Sequence, residues 1–315
     1  MTVAVDTPRG DQPADGGRHR RARGHRGGKL VPLLLVLAGL LVVLYPVVAT
    51  VVANVQQSDQ AYAYTERIND RTTVEERQAA LESAHRWNAE HQGAPILDPW
   101  LARITDDNED YRAYLEELSL DEVMGRVIIP SIQSDLPIYH GTREDTLQKG
   151  IGHLYGSSLP VGGEATHAVL TGHTGLSAST LWDNLTDVHE GDSFYLDVTG
   201  QRMKYQIDDI RVVLPEETES LVPEAGKDQV TLITCTPYGI NSHRLLLTGQ
   251  RVPLDPEDEG VFTQTHRPWQ WWMTAVLVVV VAVLAFIAYR AWRARRKRAA
   301  GAERNSAEEE TPHEN

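Results

Sequence analysis

Two apolar stretches, one near each end, constrain this chain more than any other feature of its sequence. Residues 30–53 and residues 268–289 contain no Asp, Glu, Lys or Arg. A helix needs about 20 apolar residues to cross a bilayer. Basic residues precede the first stretch and directly follow the second, and basic flanks mark the cytoplasmic side of a membrane. We predict a two-pass protein of the cell membrane, with both termini cytoplasmic and the intervening segment extracellular.

A cleaved signal peptide is the alternative for the first stretch. Val51 and Ala53 are small enough to border a cleavage site. However, the apolar region of a signal peptide usually spans about 7 to 15 residues, and this stretch is longer. We therefore favour a transmembrane helix that contacts the lipid bilayer, and cleavage of the first stretch stays open.

Charge and cysteine content exclude several classes of protein. The 315 residues include 30 basic and 44 acidic side chains, for a net charge of −14. Such a balance argues against a nucleic-acid partner, because phosphate backbones attract basic surfaces. Cys235 is the one cysteine, which excludes an intramolecular disulfide framework and a thiolate-rich metal site.

The segment between the two stretches has two parts that differ in residue composition and pattern. Residues 54 to about 120 are rich in Glu, Ala, Gln and Arg, and Leu81, Ala84 and Asn88 have helical spacing, so one or two helices are expected there. From Val123 onward, short β-type runs alternate with Gly, Pro, Asp and Asn, which favours a β-barrel or sandwich. The predicted strands are residues 125–129, 136–139, 167–172, 193–198, 203–213, 229–234 and 244–252.

Cys235 ends one of these predicted strands, immediately before a turn over residues 236–239. A free cysteine is usually a small buried hydrophobe. Outside the cell, however, an unpaired thiol is exposed to oxidation, which makes a purely structural role less attractive. We therefore treat Cys235 as a candidate nucleophile, placed at a strand end where a rigid scaffold positions an exposed side chain.

A cysteine nucleophile needs a histidine for proton transfer. His173 has the same strand-end setting as Cys235, but spacing leaves His153, His167 and His243 open as alternatives. The oxyanion of the intermediate needs a hydrogen-bond donor. Arg244 begins a predicted strand nine residues after Cys235, so a short loop would bring it beside the thiol, although a surface arginine at a strand end is the alternative.

Four ordered motifs resemble those of sortases, and of class C, the pilin-polymerising sortases of Gram-positive bacteria, in particular. The segment TLITC resembles the TLxTC signature, and the following CTPYGINSHR resembles the segment that joins catalytic Cys and Arg in this class. LPVGGE, leading into TGH, is similar to the stretch that carries the catalytic His. The tripeptide Asp98-Pro99-Trp100 is similar to the lid tripeptide of class C. The motifs occupy residues 231–235, 235–244, 159–173 and 98–100.

The resemblance implies a mainly β fold, an eight-stranded β-barrel with N-terminal helices and a lid loop, flanked by two transmembrane helices. The expected divisions are a basic cytoplasmic tail (1–29), a transmembrane helix (30–53), a helical and lid segment (54–120), the catalytic barrel (121–256), a linker (257–267), a transmembrane helix (268–289) and a cytoplasmic tail (290–315).

The resemblance also implies roles for individual residues. Cys235 becomes the nucleophile, His173 the general acid and base, and Arg244 the oxyanion or substrate clamp. Asp98 and Trp100 would lie over the site, and Thr234 would support it. Asp98 is an anion that could pair with Arg244, and Trp100 offers a π-face for the Cys235 sulfur; the alternative is an ordinary turn with a packed Trp.

The implied reaction is transpeptidation without a metal or cofactor. Its partners would be pilin subunits with an LPxTG-like sorting signal, and the acceptor would be a lysine amine of another pilin. Attachment of substrates to a cell-wall precursor is an alternative, and a non-enzymatic, membrane-anchored binding ectodomain is a less favoured one. The His loop departs from the family pattern, because Thr174 and Ser177 stand where many relatives have Arg and Pro.

Overall fold

The computed structural model describes residues 30–91, 98–100 and 107–309. The predicted basic tail at residues 1–29 and the last part of the C-terminal tail, residues 310–315, lie outside the described residues. The chain divides into two packing units at Val42. The first contributes only the apolar beginning of a long helix to the described residues, and the second, from Val43 onward, contains the rest of that helix and every other element.

Two long helices carry the apolar stretches. Helix α1 spans Leu30–Arg71 and helix α6 spans Trp271–Glu309. Their most apolar windows have mean hydropathies of 2.7 and 2.6, and both helices are long enough to cross a membrane. Helix α1 continues well past the predicted boundary at residue 53, because residues 54–71 contain no glycine or proline to end it.

The later turns of α1 pack against the rest of the second unit through one face. Tyr64 and Ile68, one turn apart, form a buried cluster with Val123 and Tyr139. The Tyr64 hydroxyl donates a hydrogen bond to the carbonyl of Met124 at 2.9 Å. The predicted helical segment is therefore attached directly to the start of the barrel.

Two further helices precede the barrel. Helix α2 spans Val74–Glu90 and begins at a capping box formed by Thr73 and Glu76, in which each side chain binds the other residue's backbone N–H. Helix α3 spans Glu109–Glu116 and is capped by the Asn108 side chain. Helix α2 contains Leu81, Ala84 and Asn88, the residues whose spacing predicted a helix, and α3 is the second of the one or two helices expected before the barrel.

Eight strands form a closed barrel in the order β1-β2-β3-β4-β7-β8-β6-β5, which confirms the predicted fold class. The barrel interior is filled by a cluster of buried apolar side chains, including Trp182, Phe194 and Tyr205. The strands are β1 Gly125–Ile129, β2 Ser134–His140, β3 Ile151–His153, β4 Thr166–Thr171, β5 Ser193–Val198, β6 Gln201–Val213, β7 Asp228–Thr236 and β8 His243–Val252.

Seven of these strands correspond to the runs predicted from the sequence, and β3 does not. Only three residues long, β3 offers too little alternation to be recognised. A short helix α4, Glu144–Leu147, precedes it. Strand β7 extends to Thr236, so that Cys235 lies within the strand rather than immediately after it.

The segment between the barrel and α6, predicted to be a linker, is held to the barrel. It contains helix α5, Glu259–Phe262. The fully buried Arg126 guanidinium donates hydrogen bonds to the carbonyls of Phe262 and Gln264, at 2.9 and 3.0 Å, and two to Asp135 at 2.8 Å. A buried guanidinium requires such complete pairing, so this segment has a fixed path.

Candidate active site

The antiparallel pairing of β7 with β8 brings Cys235 to Arg244. The two residues are direct partners in the register. Both are buried, with 8% and 7% of their surface exposed. The chain returns through the loop that follows Thr236, as the short separation between the two residues requires.

The parallel pairing of β4 with β7 brings the end of β4 to the same place. Every register pair from Thr166 with Asp228 to Thr171 with Ile233 has an offset of 62 positions, and 62 positions also separate His173 from Cys235. The pairing continues one residue further, where the Gly172 N–H donates to the carbonyl of Ile233 at 3.0 Å. His173 therefore emerges level with Cys235.

Thr234 joins the same two strands with its side chain. Its hydroxyl donates to the carbonyl of Gly172 at 2.8 Å, in a buried contact. This hydrogen bond lies directly between the residue that precedes His173 and the residue that precedes Cys235. The structure thus gives Thr234 a supporting position beneath the site.

The loop after His173 is held by the carboxylate of Asp183. Its Oδ1 accepts from the Thr174 hydroxyl at 3.0 Å and from the Gly175 N–H at 2.7 Å. The Trp182 N–H closes the loop by donating to the carbonyl of His173 at 3.2 Å. Burial raises the pKa of Asp183 above its usual range, and the two donated hydrogen bonds oppose that rise.

The other three histidines have different settings. His153 is buried between the Tyr114 hydroxyl and the Ser158 carbonyl, and His167 contacts the Thr231 hydroxyl. His243 lies opposite Thr236 in the register, beyond Cys235. Burial lowers the pKa of His153 and of His167, so both are held neutral within the barrel wall.

The sequence analysis missed a carboxylate beside His173. The Nε2 of His173 lies 3.3 Å from the Oε2 of Glu144, in the first turn of α4. Glu144 sits in a polar run that resembles an ordinary loop, and only its place in the fold reveals the contact.

The Asp-Pro-Trp tripeptide lies over the site. Asp98 receives two hydrogen bonds from the Arg244 guanidinium, from Nε at 2.6 Å and from Nη2 at 3.2 Å. The Arg244 guanidinium carbon is 4.6 Å from the centroid of the Trp100 ring, and the rings of Trp100 and His173 are 6.1 Å apart. The tripeptide therefore contacts both Arg244 and His173, while the predicted contact of Trp100 with the sulfur stays a prediction.

Known proteins resemble this chain in sequence and fold. The sortase domain model matches residues 127–252. The chain is 57% identical to sortase C-1 from Actinomyces oris, covering 57% of this chain and 99% of that one with a TM-score of 0.56. For sortase C from Streptococcus pneumoniae the identity is 41%, the coverage 62% and 97%, and the TM-score 0.58. This chain belongs to the sortase family. The similarity to solved sortase C structures makes it a class C sortase, as predicted.

A curated relative, sortase A from Bacillus anthracis, is 31% identical over 142 residues. The match covers 44% of this chain and 66% of that relative. Sortases are cysteine transpeptidases, so the non-enzymatic alternative is excluded.

The closed arrangement of this sortase disfavours the thiolate. Burial raises the pKa of Cys235 above the ordinary value of a thiol. The positive charge of Arg244 lowers this pKa, and the negative charge of Asp98 raises it. Because the tripeptide supplies Asp98 and also pairs with Arg244, it opposes ionisation of the nucleophile.

No site for a metal ion is evident in the part of this sortase that the structure describes. Over residues 30–91, 98–100 and 107–309, His, Cys, Asp and Glu do not form a group of three or more that could hold one.

Proposed function

We propose that this sortase builds covalent pili. It would cleave an LPxTG-like sorting signal and join the resulting acyl group to a lysine amine of another pilin subunit. The observation that carries the proposal is the pairing of Asp98 with Arg244, because a lid tripeptide marks the pilin-polymerising class. The S. pneumoniae neighbour is described in terms of pilin substrate specificity, which supports the same substrate class.

The first half-reaction forms a thioester. The Cys235 thiolate attacks the threonine carbonyl of the sorting signal, and the Arg244 guanidinium stabilises the oxyanion of the tetrahedral intermediate. The carbon–nitrogen bond to glycine then breaks. His173 gives its proton to the departing amine, and the thioester remains on Cys235.

The second half-reaction reverses these roles. A neutral lysine amine of the acceptor pilin attacks the thioester carbonyl, and Arg244 again stabilises the oxyanion. His173 takes a proton from the attacking nitrogen as the carbon–sulfur bond breaks. An isopeptide bond forms, and the Cys235 thiolate is regenerated beside the imidazolium.

The lid must move before either half-reaction. Asp98 occupies the guanidinium that an oxyanion would need, and the Trp100 ring lies against the same group. A substrate carboxamide would have to displace both. The lid would therefore keep the thiol protonated and covered until a sorting signal competes for Arg244.

The two apolar helices fit a location at the outer surface of the membrane. We propose that both termini are cytoplasmic and that the barrel is extracellular, which follows from the basic residues flanking the apolar stretches. Secreted subunits whose apolar tails remain in the same bilayer would then diffuse to the enzyme in two dimensions.

The decisive experiment supplies two acceptors at once. The full-length chain, in vesicles, receives a pilin with an LPxTG-like signal, together with a lysine-containing pilin domain and a soluble cell-wall precursor amine. We expect a ladder of covalent products, with a threonine–lysine isopeptide bond found by mass spectrometry. Cys235→Ala should abolish the ladder, and the control Arg211→Ala, at an exposed arginine far along β6, should not.

Two results would contradict the proposal. If threonine were joined only to the precursor amine, the enzyme would anchor proteins to the wall instead. If a ladder formed equally with Cys235→Ala, the thiol would not be the nucleophile.

A further inference from the structure

A cluster of buried amide and hydroxyl side chains joins both long helices to the loop that carries His173. We call this cluster the amide clamp. On the helix side, two members lie in α1 just after its apolar stretch, and the third lies immediately before α6 begins. On the loop side, all members follow His173 in sequence. Its members are Asn54, Gln57 and Gln270 on the helix side and Ser179, Thr180 and Asn184 on the loop side.

Asn54 makes the central contact of the amide clamp. Its Nδ2 donates to the Thr180 hydroxyl at 2.9 Å, and its Oδ1 accepts from the Thr180 N–H at 3.1 Å. Nδ2 also lies 3.3 Å from the carbonyl of Pro268, in the segment leading to α6. Asn54 and Thr180 are 5% and 1% exposed, so one side chain fixes both the backbone and the side chain of the loop.

Two further amides hold the same loop. The Ser179 hydroxyl donates to the Gln57 Oε1 at 3.0 Å, one turn further along α1. The Gln270 Nε2 donates to the Asn184 Oδ1 at 2.7 Å, just before α6 begins. Both long helices therefore reach a single segment, residues 179–184.

The held segment is connected to His173 over a short distance. The Trp182 ring is fully buried, and the backbone N–H of Trp182 donates to the carbonyl of His173. The neighbouring Asp183 binds Thr174 and Gly175. A shift of Thr180 would move Trp182 and Asp183, and with them the backbone on both sides of the His173 imidazole.

Buried amides are costly unless their hydrogen bonds are complete. Apolar side chains would attach the helices to the barrel without that cost, but they would allow several orientations. Paired amides define one register. We propose that Asn54, Gln57 and Gln270 are positioning residues for His173, so that the membrane helices form part of the catalytic apparatus. This inference rests on the proposed role of His173.

The test compares two asparagines on the same helix. Asn54→Ala removes the clamp contact, whereas Asn69→Ala makes the same change at an exposed position of α1. Full-length variants in vesicles are assayed for release of the glycine-containing peptide from a sorting-signal substrate. We expect kcat to fall about 10- to 100-fold for Asn54→Ala, since a displacement of about 1 Å can cost 100-fold. KM should stay within about twofold, and Asn69→Ala should match the native chain.

Two further variants separate positioning from simple stabilisation. Asn54→Asp keeps the acceptor for the Thr180 N–H and can accept from the Thr180 hydroxyl instead of donating to it, but it loses the donor that faces the Pro268 carbonyl, so it should recover part of the lost kcat. Gln270→Ala should also lower kcat, and its combination with Asn54→Ala should be less than additive, because both act on one loop. Gln264→Ala is the matched exposed control for Gln270.

A readout independent of substrate is the pH dependence of Cys235 alkylation by iodoacetamide, measured in an Asp98→Ala background. Asn54→Ala should raise the pH midpoint of alkylation, because a displaced imidazolium no longer favours the thiolate. An unchanged midpoint, with activity lost only in proportion to the unfolded fraction, would overturn the inference, as would an unchanged kcat. A shifted midpoint in a chain that makes no isopeptide bonds would contradict only the proposed function.

Discussion

At the scale of single residues, the charges of Arg244 and Asp98 act on the Cys235 thiol in opposite directions. Arg244 stabilises negative charge on the sulfur, but the lid supplies its own carboxylate to the same guanidinium. The pKa of Cys235 is raised by burial first and by Asp98 as well. Asp98 therefore opposes ionisation of the thiol, and the proposed lid would also limit access to it.

Removing the lid contacts should make the thiol more reactive. In a variant with Asp98→Ala and Trp100→Ala, the pKa of Cys235 should fall, because both the burial and the nearby negative charge are reduced while Arg244 remains. Alkylation by iodoacetamide at pH 7 should accelerate, and its pH midpoint should move down. Asp70→Ala, at an exposed carboxylate of α1, is the control. Equal rates in the native chain and the lid variant would mean that the lid does not cover the thiol.

Some candidate residues of the site could be predicted from the sequence, and others could not. Cys235 was the only thiol, and its short separation from Arg244 favours antiparallel neighbours. The choice among the histidines could not be made by spacing, since it depends on the parallel pairing of β4 with β7, and strand order is a property of the whole barrel. Glu144 and Asn54 were missed for the same reason, because each contacts the His173 region from a distant part of the chain.

At the scale of elements, the sequence predicted most strands to within a few residues. Alternation of apolar and polar side chains identifies strands that have one face in the barrel core. It fails for β3, which is short and has both faces covered. His153 in this strand is fully buried, with its Nε2 donating to the Ser158 carbonyl and its Nδ1 accepting from the Tyr114 hydroxyl.

Acid should destabilise the barrel through His153. Burial lowers the pKa of this histidine from 6.5 to about 4. As the pH falls, this histidine becomes protonated near pH 6.5 in the unfolded chain but only near pH 4 in the folded chain. Its contribution to the free energy of unfolding is therefore complete above pH 6.5 and decreases below it. We expect a loss of about 2 kcal/mol in the free energy of unfolding between pH 7 and pH 5, at about 1.4 kcal/mol per pH unit.

His153→Gln removes this titration and keeps a donor for the Ser158 carbonyl. Urea unfolding at pH 7 and pH 5 should therefore show a smaller loss for the variant than for the native chain. His140 and His167 also have pKa values lowered by burial, and they contribute equally to both proteins. The exposed His189→Gln should behave as the native chain does. The same loss in the native chain and in His153→Gln would contradict the assignment.

At the scale of the whole molecule, the feature of interest is the connection between the barrel and the long helix α6. Both helices are apolar enough to span a membrane, and the barrel lies between them in sequence. The segment between β8 and α6 has a fixed path, because the Arg126 guanidinium binds two of its carbonyls. The position of the barrel relative to α6 is therefore set by buried contacts rather than by a flexible linker.

The predicted orientation can be tested with thiol labelling. A membrane-impermeant maleimide applied to intact cells should label Cys235 in the lid variant, because the proposed topology places the barrel outside. In a Cys235→Ala background, Ala300→Cys should become labelled only after the cells are permeabilised. Labelling of residue 300 in intact cells, or protection of Cys235 until permeabilisation, would reverse the topology.

The closed barrel would have a mechanical consequence in the proposed reaction, whose product is a growing fibre. A polymer held by a thioester at Cys235 would pull on β7, which is hydrogen-bonded along its length to β4 on one side and to β8 on the other. Tension along the strand would load both ladders in shear, so many bonds would have to break together. In the proposed reaction, the barrel would therefore resist unfolding when external force acts on a polymer bound to Cys235.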